Sequence, residues 1–404
     1  MKKGLVIILW LFLIFRIEGQ YEKVRSGIND ILSKLPAGTS WSVLIVDAET
    51  SDTVYTYGHR VRLIPASNTK VVTSAAALHL MGGDYELSTE LKHSGSIDAS
   101  GTLNGDLYLK ALGNPLMTVK DLEKFVKAVK TLGIKNVNGG ITGDDSFFDD
   151  LYYRSQYVGN GEYDYETYPL SALVLDHNVN LAGNRFTTAP VFISQKFKSL
   201  LTAAGINVSG GIASGVTPSG TKLIASATVK LSDLLKIVNK KSDNFLAEYT
   251  VKLISAVVNG ERGNTKNGLK LCMAFLQESG AYLKGTQFAD GSGLSRKNLI
   301  PTGVIVKIYQ YIYSNQIFRS QFFSTLSISG VDGTLRSRMK EQEGDNNLKG
   351  KTGTLSGVIT LSGYFKTRTG RDMIGAVFFN YTSSYPDFYR GLQDQIFNLV
   401  INGL

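Results

Sequence analysis

A single cysteine, Cys272, in 404 residues means that this chain can be stapled neither by an internal disulfide nor by a Cys₄ zinc or iron–sulfur site. Its four histidines, His59, His79, His93 and His177, are scattered, so no metal centre and no cofactor are expected. The fold must come from packing alone. With 43% hydrophobic and 19% charged residues the material for a sizeable core is present. The length suits two domains, or one with a large insertion, at about 100–200 residues each. Any chemistry falls to Ser, Lys, Asp, Glu or Tyr.

Residues 1–20, MKKGLVIILWLFLIFRIEGQ, place Lys2 and Lys3 ahead of an apolar run, Gly4–Phe15, closed by Arg16. That is the build of an export signal peptide. The run rises about 18 Å as a helix, short of the about 30 Å hydrocarbon core; an uncleaved anchor is the alternative, because no Ala-x-Ala precedes Tyr21. Export without disulfides points to the periplasm or cell envelope of a bacterium. A net charge of +9 suits peripheral association with an anionic wall or membrane. No cluster of Lys and Arg interleaved with aromatics offers a nucleic-acid groove.

Hydrophobic periodicity predicts a helix over 21–35, strands at Ser42–Val46 and Thr53–Tyr57, and an apolar helix, Val71–Met81, opened by Pro65-Ala66-Ser67 and stopped by Gly82-Gly83. From about 84 to 225 the texture changes to short strands and turns. Helices return at Val229–Asn239, Asn244–Val258, Asn267–Ser279 and Val304–Ser314. Strands at Gly357–Thr367 and Met373–Phe379 and a helix from Asp387 to Leu399 close the chain. This order predicts an α/β (α+β) fold in which an antiparallel sheet flanked by helices, from 21–83 and 226–404, is interrupted by a nested inserted domain, 84–225.

A serine needs a base to act as a nucleophile, and no Gly-x-Ser-x-Gly or His-containing motif supplies one. A lysine three residues on lies on the same helix face and, when its pKa is lowered, can take the serine proton. Ser-x-x-Lys occurs three times, at Ser67/Lys70, Ser219/Lys222 and Ser337/Lys340. The first opens the long apolar helix, where the free N–H groups of a helix start favour an oxyanion; the others fall in turn-rich or charged stretches. Ser242-Asp243-Asn244 follows a predicted helix, and Lys351-Thr352-Gly353-Thr354 heads a predicted strand. Ser-x-x-Lys, Ser-x-Asn and Lys-Thr-Gly, in that order, form the set used by penicillin-binding proteins and class A β-lactamases.

On these motifs, and on Ser242–Glu248, Asp290-Gly291-Ser292-Gly293-Leu294-Ser295-Arg296, Gly330–Leu335, Tyr168–Leu173 and Gly143–Phe148, the chain resembles the class C low-molecular-mass penicillin-binding proteins, the D-alanyl-D-alanine carboxypeptidase/endopeptidase family. The interval of 175 residues from Ser67 to Ser242 is shorter than in members that nest a third domain inside the second. The resemblance implies a transpeptidase-like fold and a carboxypeptidase or D,D-endopeptidase acting on peptidoglycan stem peptides, with β-lactams as inhibitors. It implies that Ser67 attacks the D-Ala-D-Ala carbonyl with Lys70 as base, that Ser242 relays a proton to the leaving amine, and that Asn244 orients Lys70 and bonds the substrate amide. Lys351 would supply positive potential, Thr352 and Thr354 beside Gly353 would hold the terminal carboxylate, and the N–H groups of Ser67 and Thr354 would form the oxyanion hole. Asp144 is expected to face the amino group at the end of the stem-peptide side chain. A β-lactamase and a non-catalytic peptidoglycan-binding protein of the same fold are the alternatives; the large insert and the Asp290–Arg296 loop speak against the first, the complete motif set against the second.

Overall fold

A computed structural model describes residues 19–159, 161–162, 168–182, 187–382 and 385–404. All but the last two residues of the expected signal lie outside this range. The described chain divides into two compact units: 19–75 with Val238–Ser242 and Cys272–Leu404, and Ala76–Ile237 with Asp243–Leu271.

The first unit is built on a six-stranded sheet in the order Ser327–Ile328, Lys349–Leu355, Val358–Lys366, Asp372–Asn380, Ser40–Asp47, Thr53–Tyr57. Every pairing is antiparallel. Its central strands are buried at nearly every position because both faces are covered, which is why they read as continuous apolar runs rather than as alternation. On one face a helix over 19–32 and the helix Pro386–Gly403 bring Val24, Ile28, Ile396 and Phe397 against Val43, Ile45 and Val377. Gly27 permits that approach: a Cβ there would lie 2.7 Å from a Leu399 methyl. On the other face the helix Thr302–Ser314 sets Tyr309 edge-on to Tyr364 at 4.7 Å and ties Thr302 to Ser42 hydroxyl to hydroxyl at 2.6 Å. Cys272 is buried here, as a small core residue, and burial pushes its thiol up to about 12.

The second unit holds a five-stranded sheet in the order Ile212–Ser214, Ile141–Asp144, Leu107–Leu112, Glu86–His93, Lys222–Lys230. It is mixed, since Ile141–Asp144 runs parallel to both its neighbours. A second sheet is made of very short strands between Ser96 and Val208. The helices Val119–Thr131 and Ala189–Ala203 meet through Phe125 and Phe197, edge to face at 6.5 Å. Lys222–Lys230 runs through position 225, where the sequence pattern puts the end of the insert, and pairs with Glu86–His93 as far as Lys230. Among the described residues no helix is long and apolar enough to cross a membrane.

Asp47 ends the strand Ser40–Asp47 and fastens three elements of the first unit. Its Oδ1 accepts the N–H groups of Glu49 and Thr50, both at 2.9 Å, and its Oδ2 accepts Arg371 Nη2 at 2.7 Å, while Arg371 also reaches the Tyr21 hydroxyl at 2.6 Å. Burial pushes this carboxyl up, but the Thr50 N–H, the Arg371 guanidinium and the Glu49 N–H outweigh it and hold it below the ordinary 3.8. The stabilisation is complete above the unfolded-state value and is lost as pH falls through the lowered one. Asp47→Asn is expected to cost about 1–3 kcal/mol at neutral pH, measured by denaturant unfolding; a deficit that persisted unchanged well below pH 3.8 would contradict the assignment.

Candidate active site

The Ser-x-x-Lys segment is shaped by what holds its entry. Ala66–Asn68 form a 3₁₀ turn that runs directly into the helix Thr69–Met81, so Ser67 and Lys70 stand one turn apart, as their spacing predicts. Thr360 Oγ1 donates to the Pro65 carbonyl at 2.8 Å, and buried Asn68 gives its amide N–H to Thr360 Oγ1 at 2.8 Å and to the Lys351 carbonyl at 3.2 Å. The turn is thereby sewn onto the strands Lys349–Leu355 and Val358–Lys366. Ala66 takes a left-handed φ of +46°, a conformation that costs a non-glycine residue about 1–3 kcal/mol and clusters at functional sites. Gly353 lies against this turn so closely that a Cβ would come within 3.0 Å of the Ser67 nitrogen and 2.8 Å of the Pro65 carbonyl oxygen.

Lys70 is fully buried, and its Nζ donates to Ser67 Oγ at 3.0 Å and to the Ser292 carbonyl at 2.6 Å. Ser292 belongs to the Asp290–Arg296 loop. Asp290 shapes that loop by accepting the N–H groups of Gly293 and Ser295, each at 2.7 Å, and the Asn298 amide at 2.8 Å. Gly293, at a φ of +86°, sits where a side chain would run into the Ala66 carbonyl. The loop is therefore the back wall of the lysine.

Lys351, also fully buried, donates from Nζ to Ser242 Oγ at 2.9 Å and to the Thr352 carbonyl at 2.8 Å. Ser242 is a second left-handed non-glycine residue, at +56°. The chain ahead of it is held by Asn239, which accepts from Ser74 at 3.2 Å and donates to Thr325 at 2.9 Å, and by the Lys240–Asp332 ion pair. Asp332 lies in the Gly330–Leu335 run. Thr352 gives its hydroxyl to Thr334 at 2.8 Å, and Thr352, Gly353 and Thr354 line a cleft of about 520 Å³.

The structure thus joins Ser67 to Lys70, Ser242 to Lys351, and Gly353 to the Ser67 backbone within the first unit. Asn244 belongs to the second unit, where it opens the helix Asn244–Asn259 behind the cap formed by Asp243, which accepts the Leu246 N–H at 2.8 Å. Of the other two Ser-x-x-Lys matches, Ser219 lies in a turn before the strand Lys222–Lys230, while Ser337, whose Lys340 is exposed, lines the cleft with Thr352–Thr354. Among the described residues no group of His, Cys, Asp and Glu could hold a metal ion.

Residues 24–183 and 181–388 match the profile of the D-Ala-D-Ala carboxypeptidase 3 (S13) family. The chain belongs to the S13 D-Ala-D-Ala carboxypeptidase family. It is 27% identical over 425 residues to the D-alanyl-D-alanine carboxypeptidase of an Actinomadura species, covering 85% of this chain and 78% of that protein. Its fold is that of penicillin-binding protein 4 of Haemophilus influenzae, with a TM-score of 0.80 at 23% identity over 92% of this chain and 99% of that one. A predatory endopeptidase of Bdellovibrio bacteriovorus shares the fold at a TM-score of 0.60, with 20% identity over 89% and 92% of the two chains.

Asp144, a further expected residue of this S13 chain, lies outside the first unit. Asp144 is fully buried in the second unit; its Oδ1 accepts the Ser146 N–H at 3.0 Å and hydroxyl at 2.6 Å, and its Oδ2 accepts the Thr217 N–H at 2.7 Å. Burial pushes the carboxyl up, and these bonds from Ser146 and Thr217 outweigh it and hold it below 3.8. Both carboxylate oxygens of Asp144 are thus engaged within the second unit, where they anchor a turn. Two contributors escaped the sequence reading. The Ser292 carbonyl acts through the backbone, which no side-chain motif reports, although its Gly-Ser-Gly setting marks tight backbone. Asn68 sits inside Ser-x-x-Lys and carries no chemistry of its own.

Burial, and then the charge of Lys70, push the Lys351 ammonium well below the ordinary 10.5. The unfolded chain therefore binds more protons between the lowered value and 10.5, and stability rises with pH across that window. Lys351→Met is expected to be most stable relative to wild type at the acid end, the gap narrowing toward alkaline pH in melting curves; a pH-independent gap would refute this. Gly353→Ala should slow acylation by a fluorescent penicillin by about 10²-fold or more by displacing the Ser67 N–H, and an unchanged rate would show that the close approach is not needed.

Proposed function

We propose that this S13 enzyme hydrolyses peptidoglycan stem peptides as a serine-type D-Ala-D-Ala carboxypeptidase, a D,D-endopeptidase, or both, through an acyl-enzyme on Ser67. The observation that carries the reading is the Lys70 Nζ, buried and 3.0 Å from Ser67 Oγ, a distance at which the neutral amine takes the hydroxyl proton as the oxygen attacks. The carbonyl oxygen gathers negative charge and is met by the Ser67 and Thr354 N–H groups. The scissile C–N bond then breaks, and the leaving amine takes the proton that Lys70 accepted, relayed by Ser242, while Lys351 supplies positive potential. Asn244 steadies the lysine and the substrate amide, Thr352 and Thr354 beside Gly353 hold the terminal carboxylate, and water releases the acyl group.

β-Lactams present the same attacked carbonyl and acylate the same serine. In this reading residues 84–225 are an inserted domain between the catalytic segments 21–83 and 226–404; the strands of two sheets begin at Glu86, and the last of them runs five residues past that boundary, to Lys230. The enzyme works in the periplasm or cell envelope after export by residues 1–20, and its basic surface associates with wall or membrane.

Purified protein incubated with a fluorescent penicillin is expected to carry one adduct, mapped to Ser67 by peptide mass spectrometry and absent from Ser67→Ala. An adduct that survives that substitution would refute the assignment. Rapid turnover of a chromogenic cephalosporin would instead favour a β-lactamase.

A further inference from the structure

The cleft beside the Lys-Thr-Gly strand is larger than a departing D-alanine needs. It measures about 520 Å³, within the about 300–1,000 Å³ typical of sites for drug-sized ligands. One wall is the strand itself, through Thr352, Gly353 and Thr354; the opposite wall is the helix Pro386–Gly403, and Ser337 and Arg338 form the floor. In the reading above, Thr352 and Thr354 hold the carboxylate attached to the carbon that also bears the scissile nitrogen. Whatever side chain that carbon carries therefore has the cleft within reach. On D-alanine it is a methyl group, which leaves most of the volume unused.

The floor and the helix wall together carry charge of both signs. Arg338 donates Nη2 and Nε to Asp394 at 2.7 and 3.0 Å, and Arg390 donates Nη1 to Asp387 at 2.6 Å. A guanidinium has five N–H donors, and Nη1 of Arg338 has no hydrogen-bond partner among the described residues. Such a wall suits a peptide fragment that presents carboxylate and ammonium groups together.

The helix also carries a glycine that its own geometry does not explain. Gly391 lies within Pro386–Gly403 and lines the cleft, and a Cβ built on it would meet nothing within 4 Å. It takes no left-handed φ and permits no close approach, yet glycine inside a helix is unfavourable relative to alanine. Its visible consequence is open space in front of the Lys-Thr-Gly strand.

We infer that this cleft is a leaving-group subsite for crosslinked stem peptides, with Gly391 keeping it open and Arg338 and Arg390 facing the charged groups of the departing strand. The inference rests on the Ser67 acyl-enzyme reading and extends it to an endopeptidase substrate. The C–N bond between D-alanine and the diamino acid of the second stem breaks, the acyl half stays on Ser67, and the second stem leaves from the cleft as an amine after gaining one proton.

The test compares wild type, Gly391→Trp and Arg390→Gln on three probes: a fluorescent penicillin, a monomeric pentapeptide muropeptide and a D,D-crosslinked muropeptide dimer. Gly391→Trp takes up part of the volume that the methyl group of D-alanine leaves unused, and both variants should lose about tenfold or more of dimer cleavage while penicillin acylation and D-Ala release stay within about twofold. Dimer cleavage unchanged in both variants, or D-Ala release falling in parallel with it, would overturn the subsite. So would a wild-type enzyme that takes penicillin and trims the monomer but leaves the dimer intact. Absence of penicillin acylation in wild type would instead overturn the Ser67 reading. If Gly391→Trp alone loses acylation, its fold has been disturbed and Arg390→Gln decides.

Discussion

Two lysine side chains buried out of solvent, with the charge of one acting on the other, are the constraint around which the catalytic unit is organised. An ammonium withdrawn from water is tolerated only where hydrogen-bond acceptors replace its hydration. Lys70 is given a serine hydroxyl and the Ser292 carbonyl, and Lys351 a serine hydroxyl and the Thr352 carbonyl. The two solutions are alike. Each includes a serine hydroxyl from a sequence motif and a backbone carbonyl next to a glycine. Gly291 and Gly293 flank Ser292, and Gly353 follows Thr352. The fold thus supplies fixed carbonyl dipoles to hold charge where a proton must later move.

That organisation separates what the amino-acid pattern reveals from what it hides. The contacts of Ser67 with Lys70 and of Ser242 with Lys351 are legible because motif residue types and spacing are restricted, three residues along a helix being neighbours. The central strands are legible because sheets covered on both faces need apolar side chains at every position, and Val358–Lys366 and Asp372–Asn380 have them. The acceptors are less legible, since any residue has a carbonyl. The left-handed backbone at Ala66 and Ser242 is invisible for the same reason: no glycine or asparagine marks it, and the surrounding packing imposes it. Gln316–Thr325, a helix absent from the sequence reading, has Ile317 exposed and Phe322 buried, so its apolar residues trace no clean stripe.

Asp144 and Lys222–Lys230 show a second kind of limit. An aspartate two residues before a serine is both a plausible ligand and a good turn anchor, and the choice depends on the Thr217 N–H, which is 73 positions away in sequence. The strand Lys222–Lys230 alternates between partly covered and exposed positions and has little apolar content to announce it. Its identity comes from antiparallel pairing with Glu86–His93. In both cases the deciding partner is distant, and local pattern carries no information about it.

The same electrostatics bear on how Lys351 serves a substrate. As an isolated source of positive potential it is poorly placed, because burial and the charge of Lys70 both disfavour its ammonium. In the proposed reading a carboxylate at Thr352 and Thr354 would change that balance, since an opposite charge nearby favours the protonated form. A substrate carboxylate would thus favour the charged form of Lys351, whose Nζ donates to the Ser242 hydroxyl 2.9 Å away. Ligands without that carboxylate leave Lys351 less able to hold its proton. A bound carboxylate would in this way offset the burial that disfavours the Lys351 ammonium.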